Sequence, residues 1–321
     1  MSLELSTYDI GILAAGAIIA GIWMLVLGGN WAINGAVAIA QRAKLSRMFI
    51  GATIIAFGTS VPELFTSVTA NLQGFPGISL GNVVGSNITN ILLVIGASAL
   101  ICTLAVKPAE VKRDLAIMLL ATAILLAGML YGIFTLWMGL AMFGLLVALV
   151  VWQYRNDQID TSEIEEVEMG AGKAVLFVAG GIAALAVGAE LLVQGAVTIG
   201  GVIGVPEAII GMTAVAIGTS LPELTASIAA AIKRETNLLF GNIIGSNTFN
   251  ILSIIGLTAI LKPLPVDPEI ADFDMWFMVA VSVGFAAMLL AGVRITRPIG
   301  IAFLAAFAAF TFYQFSGMML A

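Results

Sequence analysis

The stretch GATIIAFGTSVPELFTSVTANLQGFPGISLGNVVGSNITNILLVIG, residues 51–96, occurs twice in this chain. Its second copy, GMTAVAIGTSLPELTASIAAAIKRETNLLFGNIIGSNTFNILSIIG, fills residues 211–256 at a constant offset of 160 and without a gap; 21 of the 46 positions are identical. The match extends weakly upstream, with Gly28 over Gly188 and Ala36-Val37 over Ala196-Val197. The identities concentrate in two motifs. One reads Gly58-Thr59-Ser60-Val61-Pro62-Glu63 and returns as Gly218-Thr219-Ser220-Leu221-Pro222-Glu223. The other reads Gly81-Asn82-Val83-Val84-Gly85-Ser86-Asn87-Ile88-Thr89-Asn90 and returns as Gly241-Asn242-Ile243-Ile244-Gly245-Ser246-Asn247-Thr248-Phe249-Asn250. Duplication alone builds a symmetric bundle. Polar motifs duplicated inside apolar segments point further, to a shared site.

Those segments belong to a membrane chain. Of 321 residues, 60% are hydrophobic and 10% charged, where a soluble domain carries about one-quarter charge. Apolar runs of about 20 residues recur throughout, the length that crosses a bilayer as a helix. Ten spans are expected, at roughly 9–32, 48–72, 78–102, 113–131, 133–153, 173–199, 207–232, 238–261, 274–293 and 297–317. The long polar interruption, Gln153 to Lys173, holds Asp157, Asp160, Glu163, Glu165, Glu166 and Glu168. It divides the chain into a first five-helix repeat (1–153), an acidic linker (154–172) and a second five-helix repeat (173–321). Five is odd, so the second half enters the membrane from the opposite side. The expected fold class is an all-α polytopic membrane protein, ten transmembrane helices as two inverted-topology repeats, an architecture of secondary transporters.

Basic residues set the orientation. Arg42, Lys44, Arg47, Lys107, Lys112, Arg113, Arg155, Lys173, Lys233, Arg234, Arg294 and Arg297 all fall on one side of the ten-span plan. Lys262 falls on the other, beside Asp267, Glu269, Asp272 and Asp274. Both termini are therefore expected outside the cell membrane and the acidic linker in the cytoplasm. Residues Met1 to Asp9 carry no basic residue, unlike the positive start of a cleaved signal peptide. The linker reads as a solvated segment.

The residue inventory narrows the chemistry. There is no histidine and a single cysteine, Cys102. The first fact removes the usual metal ligand and general base, and the second an intrachain disulfide. No nucleophile–base pair stands out, so no enzyme is expected. Neither is a cofactor, a nucleic-acid partner or an obligatory protein partner; the partners are ions and the lipid bilayer.

Glu63 and Glu223 each lie near the middle of an apolar span. An ionised carboxylate there costs on the order of several kcal/mol unless paired or solvated, and no lysine or arginine lies at that depth. The counter-charge is then a cation or a proton. Pro62 and Pro222 break the helix beside each acid. The break is expected to free the carbonyls of Thr59 and Thr219, and those of Ala56 and Ala216. Such backbone survives in a membrane where it is buried or lines a cavity. Ca²⁺ takes roughly six to eight hard oxygen ligands; two bidentate glutamates and two threonine carbonyls supply about six. In the other motif, Gly81 with Gly85 and Gly241 with Gly245 have the spacing that admits a neighbouring helix closely. Ser86 with Asn90, and Ser246 with Asn250, share a helix face and offer neutral oxygens suited to Na⁺. Asn82 and Asn242 read as polar packing between helices.

The paired GTSxPEL and GNxxGSN segments resemble the two alpha repeats of the sodium/calcium exchanger family, within the calcium/cation antiporter superfamily. The diagnostic segments cover about 90 residues. The resemblance implies one central Ca²⁺ site from the Glu63 and Glu223 carboxylates and the Thr59 and Thr219 carbonyls. It implies flanking Na⁺ sites using Ser60, Ser86 and the Ala56 carbonyl from one half, and Ser220, Ser246 and the Ala216 carbonyl from the other, with Asn90 and Asn250 lining the centre. Some members of the family carry aspartate at the position of Asn250; asparagine here argues against K⁺ dependence.

The function expected is Na⁺/Ca²⁺ antiport by alternating access. The two carboxylates carry a charge of −2, which one Ca²⁺ or two Na⁺ neutralise; a third Na⁺, as the resemblance implies, makes exchange electrogenic. H⁺/Ca²⁺ antiport is the alternative, since two close, desolvated carboxyls also take protons; a passive cation channel is a weaker one. Spans 1 and 6, rich in Gly and Ala, are candidates for sliding against the core. Glu190 reads as a carboxylate on a water-exposed helix end, and Cys102 as a small packing residue.

Overall fold

The computed structural model describes residues 7–42, 56–156, 169–268 and 270–319. The N-terminal segment, the start of the second expected span and the acidic linker lie outside the described residues. The chain is mostly helical. We number the helices α1 (Thr7–Arg42), α2 (the broken pair Ala56–Thr59 and Val61–Gln73), α3 (Pro76–Ile101), α4 (Pro108–Tyr131) and α5 (Leu136–Asn156). The second half gives α6 (Ala171–Ile203), α7 (Glu207–Thr219 and Leu221–Lys233), α8 (Thr236–Leu261), α9 (Ile270–Leu290) and α10 (Arg297–Met319). Among the described residues, seven helices are long and apolar enough to cross a membrane, eight when the bent α7 counts as one. The apolar stretch of α5, Leu136–Trp152, is shorter.

Burial sorts the helices into layers. In α3 and α8 about four-fifths of the apolar window is buried (78% and 83%), against 17% in α1 and in α10. The two GNxxGSN motifs therefore lie in the most enclosed of these spans. Gly81 and Gly85 of α3 meet α7 backbone to backbone: a Cβ on Gly81 would stand 2.6 Å from the Ala208 oxygen, and one on Gly85 2.6 Å from that of Met212. This is the close approach that the four-residue glycine spacing allows. Helices α4, α5, α9 and α10 pack around this centre, α5 on α8 and α10 on α3.

The helices α1 and α6 form a separate layer and pack chiefly on each other. A Cβ on Gly21, Gly28 or Gly35 would meet the carbonyl of Gly188, Gly181 or Ala174 at 2.7, 2.8 and 2.7 Å. The antiparallel seam repeats every seven residues, as a helix pair in continuous contact requires. At 36 residues α1 is about 54 Å long, well beyond a hydrocarbon core of about 30 Å. It continues ten residues past the expected end because Ile33 to Arg42 extends the same Gly/Ala pattern.

The fold departs from the all-α expectation at two places. Ile133–Phe134 and Leu264–Pro265 pair as short antiparallel strands, and Leu104 forms a bridge with Ile295. The first joins the start of α5 to the end of α8, the second the end of α3 to the start of α10. Backbone leaving a helix inside an apolar protein must find partners, and these segments find them in the other half of the chain. Leu104 and Ile295 exchange both N–H···O bonds, at 3.0 and 2.9 Å.

Candidate cation site

Both GTSxPE motifs break their helices at serine. Ser60 (φ −88°, ψ 4°) and Ser220 (φ −81°, ψ 8°) stand between the two helical pieces. Pro62 and Pro222 have no N–H to return to the preceding turn, yet suit the opening turn of the next piece. In α7 the pieces bend by 45°. The break also puts Glu63 and Glu223 in the first turn of a new helix, where the backbone dipole favours negative charge.

The acids are served across the repeat boundary. Ser220 Oγ donates to Glu63 Oε1 at 3.2 Å, and Ser60 Oγ donates to Glu223 Oε1 at 3.2 Å. Ser246 of α8 adds a bond to Glu223 Oε1 at 3.4 Å, and its hydroxyl lies 3.5 Å from Thr59 Oγ1. Both glutamates are 0% exposed. Their remaining oxygens, Glu63 Oε2 and Glu223 Oε2, are buried without a hydrogen-bond partner. Buried polar atoms in folded proteins nearly always have partners, and orphaned carboxylate oxygens fit a positive ligand.

Asn82, expected as packing, is the centre of the first half's network. Its Nδ2 donates to the Glu63 carbonyl at 3.2 Å and to Ser67 Oγ at 2.9 Å. Its Oδ1 accepts from Thr219 Oγ1 at 3.1 Å and from Ser86 Oγ at 3.5 Å. The signal was in the spacing: Asn82, Ser86 and Asn90 are successive fours on one helix face. Asn247 joins the two halves in the same way. Asn90 Nδ2 donates to Asn247 Oδ1 at 3.0 Å, and Asn247 Nδ2 to the Asn87 carbonyl at 3.3 Å. Asn250 is fully buried, and neither its Nδ2 nor its Oδ1 has a partner. Both Asn90 and Asn250 open a π-helical turn, Asn90–Val94 and Asn250–Ile255, an irregularity frequent at functional sites.

The structure thus gathers Glu63, Glu223, Ser60, Ser220, Thr59, Thr219, Ser86 and Ser246 into contacts at the helix breaks. Asn90 and Asn250 make no hydrogen bond to either carboxylate. The Ala216 carbonyl, expected to be freed, accepts the Ser220 N–H at 3.1 Å and the Thr219 hydroxyl at 3.4 Å. That oxygen keeps its ordinary α-helical partner up to the break. Ala56 is the first described residue of α2.

A cavity of about 370 Å³ leads to the site between α1 and α7. Val26, Asn30 and Ile33 line one wall, Thr225 and Ala226 the other, and Gly58, Thr59 and Pro222 the end beside the acids. Glu190 is not a free helix end: Gln73 Nε2 donates to its Oε2, and Gln194 Nε2 donates to Gln73 Oε1 at 3.1 Å. Among the described residues no group of three or more His, Cys, Asp or Glu could hold a metal ion. The site's chemistry is therefore two carboxylates within neutral hydroxyl, amide and backbone oxygens, a hard set suited to Ca²⁺ or Na⁺ rather than to transition metals.

Comparison with known proteins agrees. The family model described as sodium/calcium exchanger protein matches residues 13–155 and again 173–316. The putative antiporter CaxA of Alkalimonas amylolytica is 36% identical, over 93% of this chain and 98% of its own. Sodium/calcium exchanger MaX1 of Methanosarcina acetivorans is 30% identical, over 90% of this chain and 95% of its own. Among solved structures, the sodium-calcium exchanger NCX_Mj soaked with Na⁺ and Sr²⁺ superposes with a TM-score of 0.66 at 32% identity, covering 93% of this chain and 97% of that one. Both matched segments of the family model contain one complete pair of motifs, and on that ground the chain belongs to the sodium/calcium exchanger family.

Proposed function

We propose that this chain is a secondary active antiporter that exchanges Na⁺ for Ca²⁺ across the cell membrane by alternating access. Its ten helical units act as two inverted five-helix repeats, residues 1–153 and 173–321, joined by a cytoplasmic acidic linker, with both termini outside. The observation that carries this reading is the reciprocal pair Ser60–Glu223 and Ser220–Glu63, with one orphaned oxygen on each buried acid. A centre of charge −2 built equally from both repeats binds one Ca²⁺ or several Na⁺, but not both at once. Ca²⁺ would take Glu63, Glu223 and the Thr59 and Thr219 carbonyls. Na⁺ would use Ser60, Ser86, Ser220 and Ser246 beside the same acids, with the Ala56 and Ala216 carbonyls at the margins and Asn90 and Asn250 lining the centre. Ala216 must give up its present bonds to take that role.

If an unloaded centre of −2 crosses poorly, exchange is obligatory. Three Na⁺ against one Ca²⁺ moves one net charge per cycle. The neutral amide of Asn250 supports independence from K⁺. The test is ⁴⁵Ca²⁺ uptake into proteoliposomes loaded with Na⁺, with K⁺ or with a pH gradient alone. Uptake should follow internal Na⁺ and create a membrane potential. Uptake driven equally by the pH gradient would establish H⁺/Ca²⁺ antiport instead, and uptake without any gradient a passive channel.

A further inference from the structure

The two repeats match in sequence but not in their surroundings, and the ends of α2 and α7 show it. At the end of α2 that carries Gln73, the helix is covered. α6 packs along Val61–Gln73; Pro62, Thr66 and Ser67 are buried; and Gln73 is bonded to both Glu190 and Gln194 of α6. At the matching end of α7 that cover is missing among the described residues. α1 has no comparable packing on Leu221–Lys233. Pro222, Thr225 and Ala226, which stand where Pro62, Phe65 and Thr66 stand in the first repeat, line the open cavity instead. Among the described residues no hydrogen bond joins Lys233, the counterpart of Gln73, to Asn30 or Asn34, the counterparts of Glu190 and Gln194.

The polar network behind each gate follows suit. Asn82 Nδ2 bonds Ser67 Oγ and the Glu63 carbonyl. The counterpart atoms, Asn242 Nδ2 and Ser227 Oγ, are both without partners. Equal sequences in unequal states are what a two-state gate leaves when one side is shut and the other open.

We infer that the Glu190–Gln73–Gln194 bonds are a latch closing one gate of the transporter, and that Asn30, Asn34 and Lys233 are the corresponding latch of the other gate, open in this structure. In the proposed orientation the closed gate faces outward and the cavity faces the cytoplasm. The chemistry of the second latch differs: a lysine ammonium donates to two amide oxygens, where the first joins a carboxylate and two amides. The inference deepens the proposed exchange function and rests on it for its purpose, while its test does not depend on transport.

The test uses the full chain carrying Cys102→Ala, with a cysteine placed at either of two matched positions, Thr66→Cys or Ala226→Cys, and a water-soluble maleimide as the probe. With the latch intact, Ala226→Cys labels rapidly and Thr66→Cys is protected. Adding Glu190→Ala with Gln194→Ala should raise Thr66→Cys labelling by about tenfold, the scale on which one or two hydrogen bonds bias a two-state equilibrium, and should slow that of Ala226→Cys by the smaller factor that the loss from the dominant state allows. Glu190→Gln, which keeps an acceptor for Gln73, should restore protection; it also separates latch loss from misfolding. Equal labelling of the two positions with the latch intact overturns the assignment of open and closed gates. Unchanged rates in the double variant overturn the latch. Loss of Na⁺-driven uptake with the labelling pattern intact would count against the exchange reading alone.

Discussion

Ser220 donates to Glu63, and 160 residues earlier Ser60 donates to Glu223, both at 3.2 Å. Each acid takes a serine hydroxyl from the opposite repeat. Each helix break points its serine into the other repeat, so neither half of the site is complete without the other.

The exchange is not quite symmetric, and a prediction follows from the difference. Glu223 keeps the bond from Ser246 at 3.4 Å when Ser60 is removed. Ser220→Ala should therefore weaken Ca²⁺ binding more than Ser60→Ala. A hydrogen bond to a charged group contributes about 1.5–3 kcal/mol, so Ser220→Ala should raise the KM for ⁴⁵Ca²⁺ uptake by about tenfold or more. Equal effects of the two substitutions would mean that Ser246 does not share the load.

Glu63→Gln and Glu223→Gln preserve shape and remove one charge each. A centre of −1 cannot neutralise Ca²⁺, so each variant should lose Ca²⁺ uptake. Each should also lose the rise in Tm that Ca²⁺ gives the parent chain, since a ligand stabilises the state that binds it. The thermal readout separates lost binding from a blocked transport cycle. Retained Ca²⁺-dependent stabilisation in either variant would remove that acid from the site.

Asn82 and Asn242 are identical in motif and unlike in contacts. Asn82→Ala strips partners from Ser67, Thr219 and the Glu63 carbonyl, all within the enclosed core. Leaving buried polar groups unsatisfied costs about 1–3 kcal/mol each. Asn242→Ala removes an amide nitrogen that has no partner. Thermal unfolding should therefore show a clear drop for Asn82→Ala and a small one for Asn242→Ala. A reversed order would contradict the contacts described for both residues.

Much of this arrangement is legible in the sequence, for physical reasons. A carboxylate in an apolar span without a basic neighbour demands an explanation, and a proline beside it marks the helix break. The offset of 160 ties Glu63 to Glu223 before any coordinates exist. What the sequence hides is which side of a symmetric device is open. Asn82 and Asn242 sit in the same GNxxGSN motif, and packing separates a bonded amide from an orphaned one. The short strand pairs were hidden too: Leu104 and Ile295 are 191 residues apart and carry no turn signal that links them. Asn250 opens a π-helical turn that its sequence, shared with Asn90, does not distinguish from an ordinary helix.

The seam between α1 and α6 makes a stability prediction of its own. A Cβ at Gly28 would lie 2.8 Å from the Gly181 carbonyl and 2.9 Å from the Ala184 Cβ and the Leu185 nitrogen. Backbone cannot move aside as a flexible side chain can. Gly28→Val should destabilise the chain by about 1–3 kcal/mol or more, the scale of overpacking, seen as a lower Tm in detergent. At Gly16 nothing lies within 4 Å, so Gly16→Ala should be nearly neutral.

A helix pair that moves as a unit is distinguishable from a contact that must break. α1 and α6 share a continuous glycine seam, whereas α6 and α2 are joined at the gate through Gln73 and Glu190. If α1 and α6 slide together past the centre, the α6–α2 contact is remade once per cycle. In a Cys102→Ala chain, Gln73→Cys with Glu190→Cys should cross-link on oxidation and stop Na⁺-driven ⁴⁵Ca²⁺ uptake, which reductant should restore. The two single variants, equally oxidised, should keep transporting. Full uptake by a cross-linked protein would mean that this contact stays closed throughout the cycle, and the motion would have to be sought in another pair of helices.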